Sequence, residues 1–133
     1  SEHVLLNGYA GEMGVEMSKA SLFVFTSLSE SFSLVTLEAM SVGIPAVVYN
    51  CPGGISYVVK DNVMGFLVPM NDEDAFVEKV CTLIEDEELR KKMGQAALAE
   101  SKQYGIDKIT HRWMDLFQEL LDKKRGQRND HLV

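Results

Sequence analysis

Residues 22–49 read LFVFTSLSESFSLVTLEAMSVGIPAVVY, and this stretch decides the fold. Leu22-Phe23-Val24-Phe25 is a continuous apolar run rich in β-formers. Such a run suits a strand buried on both faces, the habit of parallel sheets. Ser27 to Ser31 is polar. Residues 32–42 read as a helix stopped by Gly43. Pro45 opens a second buried run, Ala46-Val47-Val48-Tyr49. Strand, helix and strand in this order make one parallel crossover unit.

The same alternation continues on both sides. Upstream, Val4-Leu5-Leu6 is predicted as a strand, Gly8 to Gly14 as a turn and Val15 to Ala20 as a short helix. Downstream, Cys51-Pro52-Gly53-Gly54 is a turn, followed by a short helix over about 55–60. Asp61-Asn62 leads into Phe66-Leu67-Val68, a fourth strand. After Pro69 the chain becomes helical. Asn71 or Asp72 caps a helix whose acidic first turn (Asp72, Glu73, Asp74) suits the positive dipole end. Its inward positions are predicted as Phe76, Val77, Val80, Cys81 and Ile84. Two more helices follow, over about 87–102 and 106–124. The last carries Ile109, Trp113, Leu116, Phe117, Leu120 and Leu121 on one side, with Trp113 read as a core residue.

The expected fold class is therefore α/β: a three-layer, Rossmann-like parallel sheet with helices on both faces and extra C-terminal helices. Residues 1–124 form the domain and 125–133 a polar tail. Four strands make a small sheet, and the chain opens without Met. It is expected to be a piece of a longer protein, with further strands upstream.

Composition narrows the function classes. Hydrophobic residues make up 46% and charged residues 25%, ordinary for a globular domain. No run approaches the roughly 18 apolar residues of a membrane span. Cys51 and Cys81 form no metal-binding pair and are expected as free thiols of a cytoplasmic protein, Cys81 in the core. The net charge is −7. Residues 1–60 hold two bases, Lys19 and Lys60, against five acids. A nucleic-acid groove needs clustered Lys and Arg, so nucleic acid is excluded as a partner. An anion bound in this part of the chain must be held mostly by backbone N–H groups.

The segment Ser27 to Met40 supplies such groups. It follows a buried strand and opens a helix. Ligands of open parallel sheets bind at the carboxyl ends of the strands. A helix N-terminus there offers unpaired N–H groups and a positive dipole end. The amides of Ser31, Phe32, Ser33 and Leu34 suit a diphosphate, and small side chains at 31 and 33 permit close approach. Glu30 sits at the mouth, where a carboxylate accepts bonds from two sugar hydroxyls. Glu38 lies about two turns into the helix among Leu37, Ala39 and Met40. A charged residue in such surroundings needs a partner, and vicinal ribose hydroxyls would serve. The plain alternative is that Glu30 caps the helix and Glu38 is solvated.

The segment resembles the E-x7-E motif of the retaining GT-B glycosyltransferases of family 4, with Glu30 and Glu38 at its two glutamates. Leu37-Glu38-Ala39-Met40-Ser41-Val42-Gly43-Ile44-Pro45-Ala46-Val47 resembles the family's LEAM-x-x-G-x-P-V-V stretch. Gly53-Gly54, Asp61-Asn62, Gly65 to Val68 and Asn71 to Ala75 follow in the family's order. The resemblance implies the C-terminal, donor-binding domain of an enzyme that transfers a hexose from a UDP- or GDP-sugar, with retention and without a metal or other cofactor. It places Glu30 on the donor sugar as the catalytic residue, Glu38 on the ribose, amides near Phe32, Ser33 and Leu34 on the distal phosphate, and Gly8 and Tyr9 beside the base. Many family members carry Gly at the positions of Ser31 and Ser33, and Glu at that of Tyr57.

The implied partners are the nucleotide sugar, an N-terminal GT-B domain that completes the site, and a glycan or lipid-linked acceptor in envelope or capsular polysaccharide synthesis. The piece is expected to be inactive alone. Its last helix is expected to leave apolar surface exposed and to promote self-association. Lys123, Lys124, Arg125 and Arg128 are candidates for peripheral contact with the inner face of a membrane, against the plain reading of a solvated helix end. The competing functions are a GT-B-like nucleotide-sugar epimerase or phosphorylase, and a non-catalytic binding module.

Overall fold

The computed structural model describes residues 3–129, with side chains through 125. Three strands form one parallel sheet in the order β1-β2-β3: β1 Phe23–Phe25, β2 Ala46–Tyr49 and β3 Gly65–Val68. The helices are α1 Met13–Ser18, α2 Leu34–Ser41, α3 Ile55–Val58, α4 Glu73–Glu85, α5 Glu87–Ser101 and α6 Ile106–Asn129, with a 3-10 turn at Lys102–Tyr104.

Alternation along the strands sorts the core into two faces. Ala46 and Val48 of β2 share one cluster with Phe23, Phe25 and Leu67, covered by Met40 of α2 and Ile55 and Val58 of α3. Val47 of β2 and Phe66 and Val68 of β3 point the other way, onto Phe76 and Leu83 of α4 and Met93 of α5. Helices therefore cover both faces, the three-layer α/β arrangement the sequence predicts. Ala46, Val47 and Val48 are wholly buried. Each buried valine contributes about 1.5–3 kcal/mol.

Several expectations change. Val4-Leu5-Leu6 is no strand; all three side chains are exposed, Leu6 at 94%. A strand exists only by pairing with another, and no described residue pairs with this run. β1 is not buried on both faces. Phe23 and Phe25 are half-buried and Val24 is exposed, because β1 is an edge strand and no described helix covers Val24. At the opposite edge, the Asp61-Asn62 turn covers β3. Asn62 N–H donates to the Gly65 carbonyl at 2.9 Å, and Leu67 N–H donates to Asp61 Oδ1 at 2.9 Å. That turn blocks further pairing on this side.

On α4, Asp72 is the cap, its Oδ1 accepting from Ala75 N–H at 3.0 Å. The inward stripe is Phe76, Val80 and Leu83. Val77, Cys81 and Ile84, one step further round the helix, are exposed. Cys81 is therefore a surface thiol and Cys51 the buried one, both free.

The chain divides into two compact units, Ser1–Ser101 and Lys102–Val133. In the second, α6 runs past Lys124, where the sequence places its end, to Asn129. Its Trp113 and Phe117 rings lie 5.6 Å apart, and Trp113 is exposed rather than core. Residues 130–133 of the expected tail lie outside the described residues.

Gly94 of α5 supplies a test of this packing. A Cβ there would overlap the Gly43 carbonyl oxygen in the α2–β2 connection. Gly94→Ala should lower unfolding free energy by about 1–3 kcal/mol through overpacking. Helix propensity alone predicts a gain of about 1 kcal/mol instead. Denaturant unfolding distinguishes the two signs.

Candidate functional site

The site begins where β1 ends. In the β1–β2 ladder Phe25 faces Val48. The chain then leaves the strand through a polar loop. Equal steps along both segments from that pair lead to Glu30 and Gly53, and these two residues form an isolated parallel bridge. Glu30 N–H donates to the Pro52 carbonyl at 3.2 Å, and Gly54 N–H donates to the Glu30 carbonyl at 2.7 Å. The backbone of Glu30 is thus fixed on a continuation of the sheet's own register, beyond the carboxyl ends of β1 and β2. This contact needs bare backbone. A Cβ on Gly53 would overlap the Glu30 carbonyl oxygen, and one on Gly54 the Ser31 carbonyl oxygen. The Gly-Gly pair, read from sequence as a turn, makes room for the Glu30 loop.

The helix start differs from the expected residue 32. Ser33 adopts φ 61 and ψ 69, in the left-handed region, and α2 begins at Leu34. The Ser33 carbonyl accepts from Thr36 N–H and Leu37 N–H, both at 3.2 Å. Its Oγ lies 2.8 Å from Thr36 Oγ1, and both residues are buried. The hydroxyl therefore braces the inside of the turn instead of capping the helix. The N–H groups of Ser33, Leu34 and Val35 have no acceptor among the described residues. Ser31 and Phe32 precede the helix. The left-handed backbone at 33 is the physical reason glycine suits that position.

Glu30 is half-buried and Glu38 exposed, and neither joins an ion pair among the described residues. The expectation that Glu38 is buried is therefore corrected. Helix α2 buries Thr36, Ala39 and Met40, while Leu34, Glu38 and Ser41 form its outward stripe. The apolar neighbours of Glu38 in sequence lie on other sides of the helix. Glu38 stands one turn, about 6 Å, above Leu34 on the same stripe, and helical side chains lean back toward the N-terminus. A free carboxylate and free amides therefore share one outer surface.

Gly8 and Tyr9 lie elsewhere. Gly8 has φ 68 and Tyr9 is almost fully exposed. Both line a cavity of about 370 Å³ with Asn7, Ala10, Met13 and Glu16. Residues 30–34 and Glu38 do not line it. Met13 and Glu16, which the sequence reading missed, stand three apart on α1, so their common face was available as a signal. The triplet Asp72-Glu73-Asp74 spells D-x-D, yet it opens α4 and Asp72 is committed to capping. Among the described residues no group of three His, Cys, Asp or Glu side chains could hold a metal ion. No described helix is long and apolar enough to cross a membrane. The displaced pKa values belong to a surface pair on α5: their mutual hydrogen bond lowers Glu87 and raises Lys91.

A parallel α/β sheet with a polar loop and an open helix N-terminus at its carboxyl edge defines the class of α/β domains that bind ligands at that edge. The model of the family "Glycosyl transferases group 1" matches residues 1–100, and the chain belongs to that family. It is 34% identical over 128 residues to an exopolysaccharide phosphotransferase of Streptomyces coelicolor, covering 96% of this chain and 14% of that protein. It is 35% identical over 112 residues to a D-inositol 3-phosphate glycosyltransferase of Streptomyces griseus, covering 84% and 24%. Among solved structures, the GtfA/B complex aligns with a TM-score of 0.83 at 25% identity, over 92% of this chain and 25% of that one. A mutant of S. aureus TarM, solved with Fondaparinux, alpha-GlcNAc-glycerol and UDP, aligns with a TM-score of 0.77 at 27% identity, over 87% and 24%. The fold is thus that of the C-terminal domain of GT-B glycosyltransferases. The chain spans a quarter or less of these four proteins.

The strained Ser33 gives a second test. Ser33→Ala keeps the left-handed strain and leaves the Thr36 hydroxyl without its partner. Ser33→Gly removes the strain while losing the same bond. The glycine variant should be more stable than the alanine variant by about 1–2 kcal/mol. Equal stabilities, measured by denaturant unfolding, would contradict the left-handed assignment.

Proposed function

We propose that this chain is the donor-binding domain of a retaining glycosyltransferase of family 4, which transfers a hexose from a UDP- or GDP-sugar to a glycan or lipid-linked acceptor. The observation that carries the reading is the pairing of a ladder-anchored Glu30 with an uncapped helix start immediately after it. The N–H groups of Ser33, Leu34 and Val35 meet the distal phosphate, with Ser31 and Phe32 forming the approach. Glu30 accepts bonds from donor-sugar hydroxyls, and Glu38 from the ribose. Gly8 and Tyr9, in their own cavity, take the base. UDP in the TarM structure and UDP-glucose in an Anabaena HepE structure, aligned at 26% identity, support a nucleotide-sugar donor.

In the transfer, the bond from the anomeric carbon to the distal phosphate oxygen breaks and that oxygen gathers negative charge. Preorganised amides and the positive end of α2 stabilise it without reorganising. The acceptor oxygen bonds to the anomeric carbon on the vacated face, and its proton is taken up by the departing nucleoside diphosphate. No metal or cofactor is needed for this charge balance. An N-terminal GT-B domain supplies the acceptor side, so the chain alone transfers no sugar. The setting is envelope polysaccharide synthesis on the cytoplasmic side, the enzyme lying at the inner face of the membrane. The likeness to the Streptomyces coelicolor exopolysaccharide phosphotransferase, at 34% identity, and to an amylovoran biosynthesis glycosyltransferase of Erwinia amylovora, at 31%, supports that setting.

The reading is tested by splitting the donor into its parts in the intact protein. Glu38→Ala should weaken UDP or GDP binding by roughly 10–100-fold, the worth of hydrogen bonds to a charged group, and leave inorganic pyrophosphate binding unchanged. Calorimetry measures both. An equal loss for pyrophosphate would remove Glu38 from the ribose. Glu30→Ala should lower sugar transfer while leaving nucleotide affinity nearly intact. An epimerised donor, formed without acceptor, would favour an isomerase instead.

A further inference from the structure

We propose that the Pro52-Gly53-Gly54 turn is a positioning element for the donor sugar, setting where Glu30 stands relative to the phosphate-binding amides. The inference rests on the donor-site reading above and adds Gly54 as a positioning residue. Two observations decide which side of the contact is rigid. The turn is braced in the core on both flanks: Cys51 is 5% exposed and Ile55 1%. The opposing loop is the more open side: Leu28, Ser29 and Ser31 are all exposed, and it meets the core only at Phe32, which follows the contact. A side chain added at the contact therefore displaces the Glu30 loop and leaves the turn in place.

The two glycines are not equivalent. Gly53 has φ 115, so any substitution combines strain with overlap. Gly54 has a negative φ of −99, which alanine can adopt, so an alanine there acts mainly through space. The overlap falls on the Ser31 carbonyl oxygen, before the helix start. Ser33, where α2 is anchored, is buried and bonded to Thr36. Gly54→Ala should then move Glu30 and Ser31, while Phe32, packed on the core, and Ser33 to Val35 keep their places. Sugar positioning is lost and diphosphate binding kept. General destabilisation would lower both together.

The test uses the intact protein and three variants: Glu30→Ala, Gly54→Ala and the double substitution. UDP and GDP are titrated, and release of nucleoside diphosphate is followed with UDP-glucose, UDP-N-acetylglucosamine and GDP-mannose. Gly54→Ala should leave the affinity for UDP or GDP within about threefold and slow release by about 100-fold, the cost of an ångström-scale misplacement. Because Gly54 acts through Glu30, the double variant should lose little beyond the worse single one. Normal release by a folded Gly54→Ala protein, or fully additive losses, overturns the positioning role. Amide hydrogen exchange of the wild type tests the clamp even where the variant does not fold. The Glu30 and Gly54 amides should exchange as slowly as those of the β1–β2 ladder, and exchange at loop rates overturns the proposal. If Glu30→Ala alone leaves release unchanged, the donor-site reading fails, and the role of the turn fails with it.

Discussion

The structure depends on one backbone contact, the parallel bridge of Glu30 with Gly53 at the register already set by β1 and β2. A loop at the end of a strand is normally free to wander. Here it is stitched back to the neighbouring connection soon after Phe25, the last residue of β1, with no slip in register. The stitch requires two residues without side chains, because carbonyl oxygens of Glu30 and Ser31 occupy the space their Cβ atoms would fill. Everything chemical follows from it. Glu30 gains a fixed height above the sheet, and the chain arrives at Ser33 in an orientation that turns it straight into α2.

Strain and electrostatics meet at that turn. Ser33 holds a left-handed backbone that costs a serine about 1–3 kcal/mol, against a buried hydroxyl pair with Thr36. The helix start is left uncapped and its amides free for an outside acceptor. Lys19 and Lys60 are the only bases from Ser1 to Lys60, so charge pairing with side chains is a minor resource in this part of the chain. Oriented amides and a helix dipole are the remaining means of holding a phosphate, and they add no positive side chain that would pair with Glu30 or Glu38. The two carboxylates stay available to hydroxyl groups.

Much of this was legible in the sequence, for identifiable reasons. The three strands were readable because each is a short apolar run bounded by glycine, proline or polar residues. The helix after β1 was readable from its polar approach and from the glycine that stops it, although it begins at Leu34, two residues later than the sequence places it. The failures share a cause, which is that sequence pattern does not report neighbours. Val4-Leu5-Leu6 has the composition of a strand but nothing to pair with. On α4 two apolar stripes lie side by side, and Leu83 rather than Cys81 settles which faces the sheet. Glu38 looked buried because Leu37, Ala39 and Met40 flank it in sequence, whereas the helix turns it outward with Leu34 and Ser41. The clamp by Gly53-Gly54 was invisible for the same reason, since it joins two segments separated by the whole of α2 and β2.

A crystal structure of the intact protein with UDP or GDP bound tests the central claim most directly. The account predicts distal phosphate oxygens at about 3 Å from the N–H groups of Ser33, Leu34 or Val35, with the ribose hydroxyls on the Glu38 carboxylate. A diphosphate seated away from the start of α2, or held there by lysine and arginine side chains with those amides unused, would contradict it.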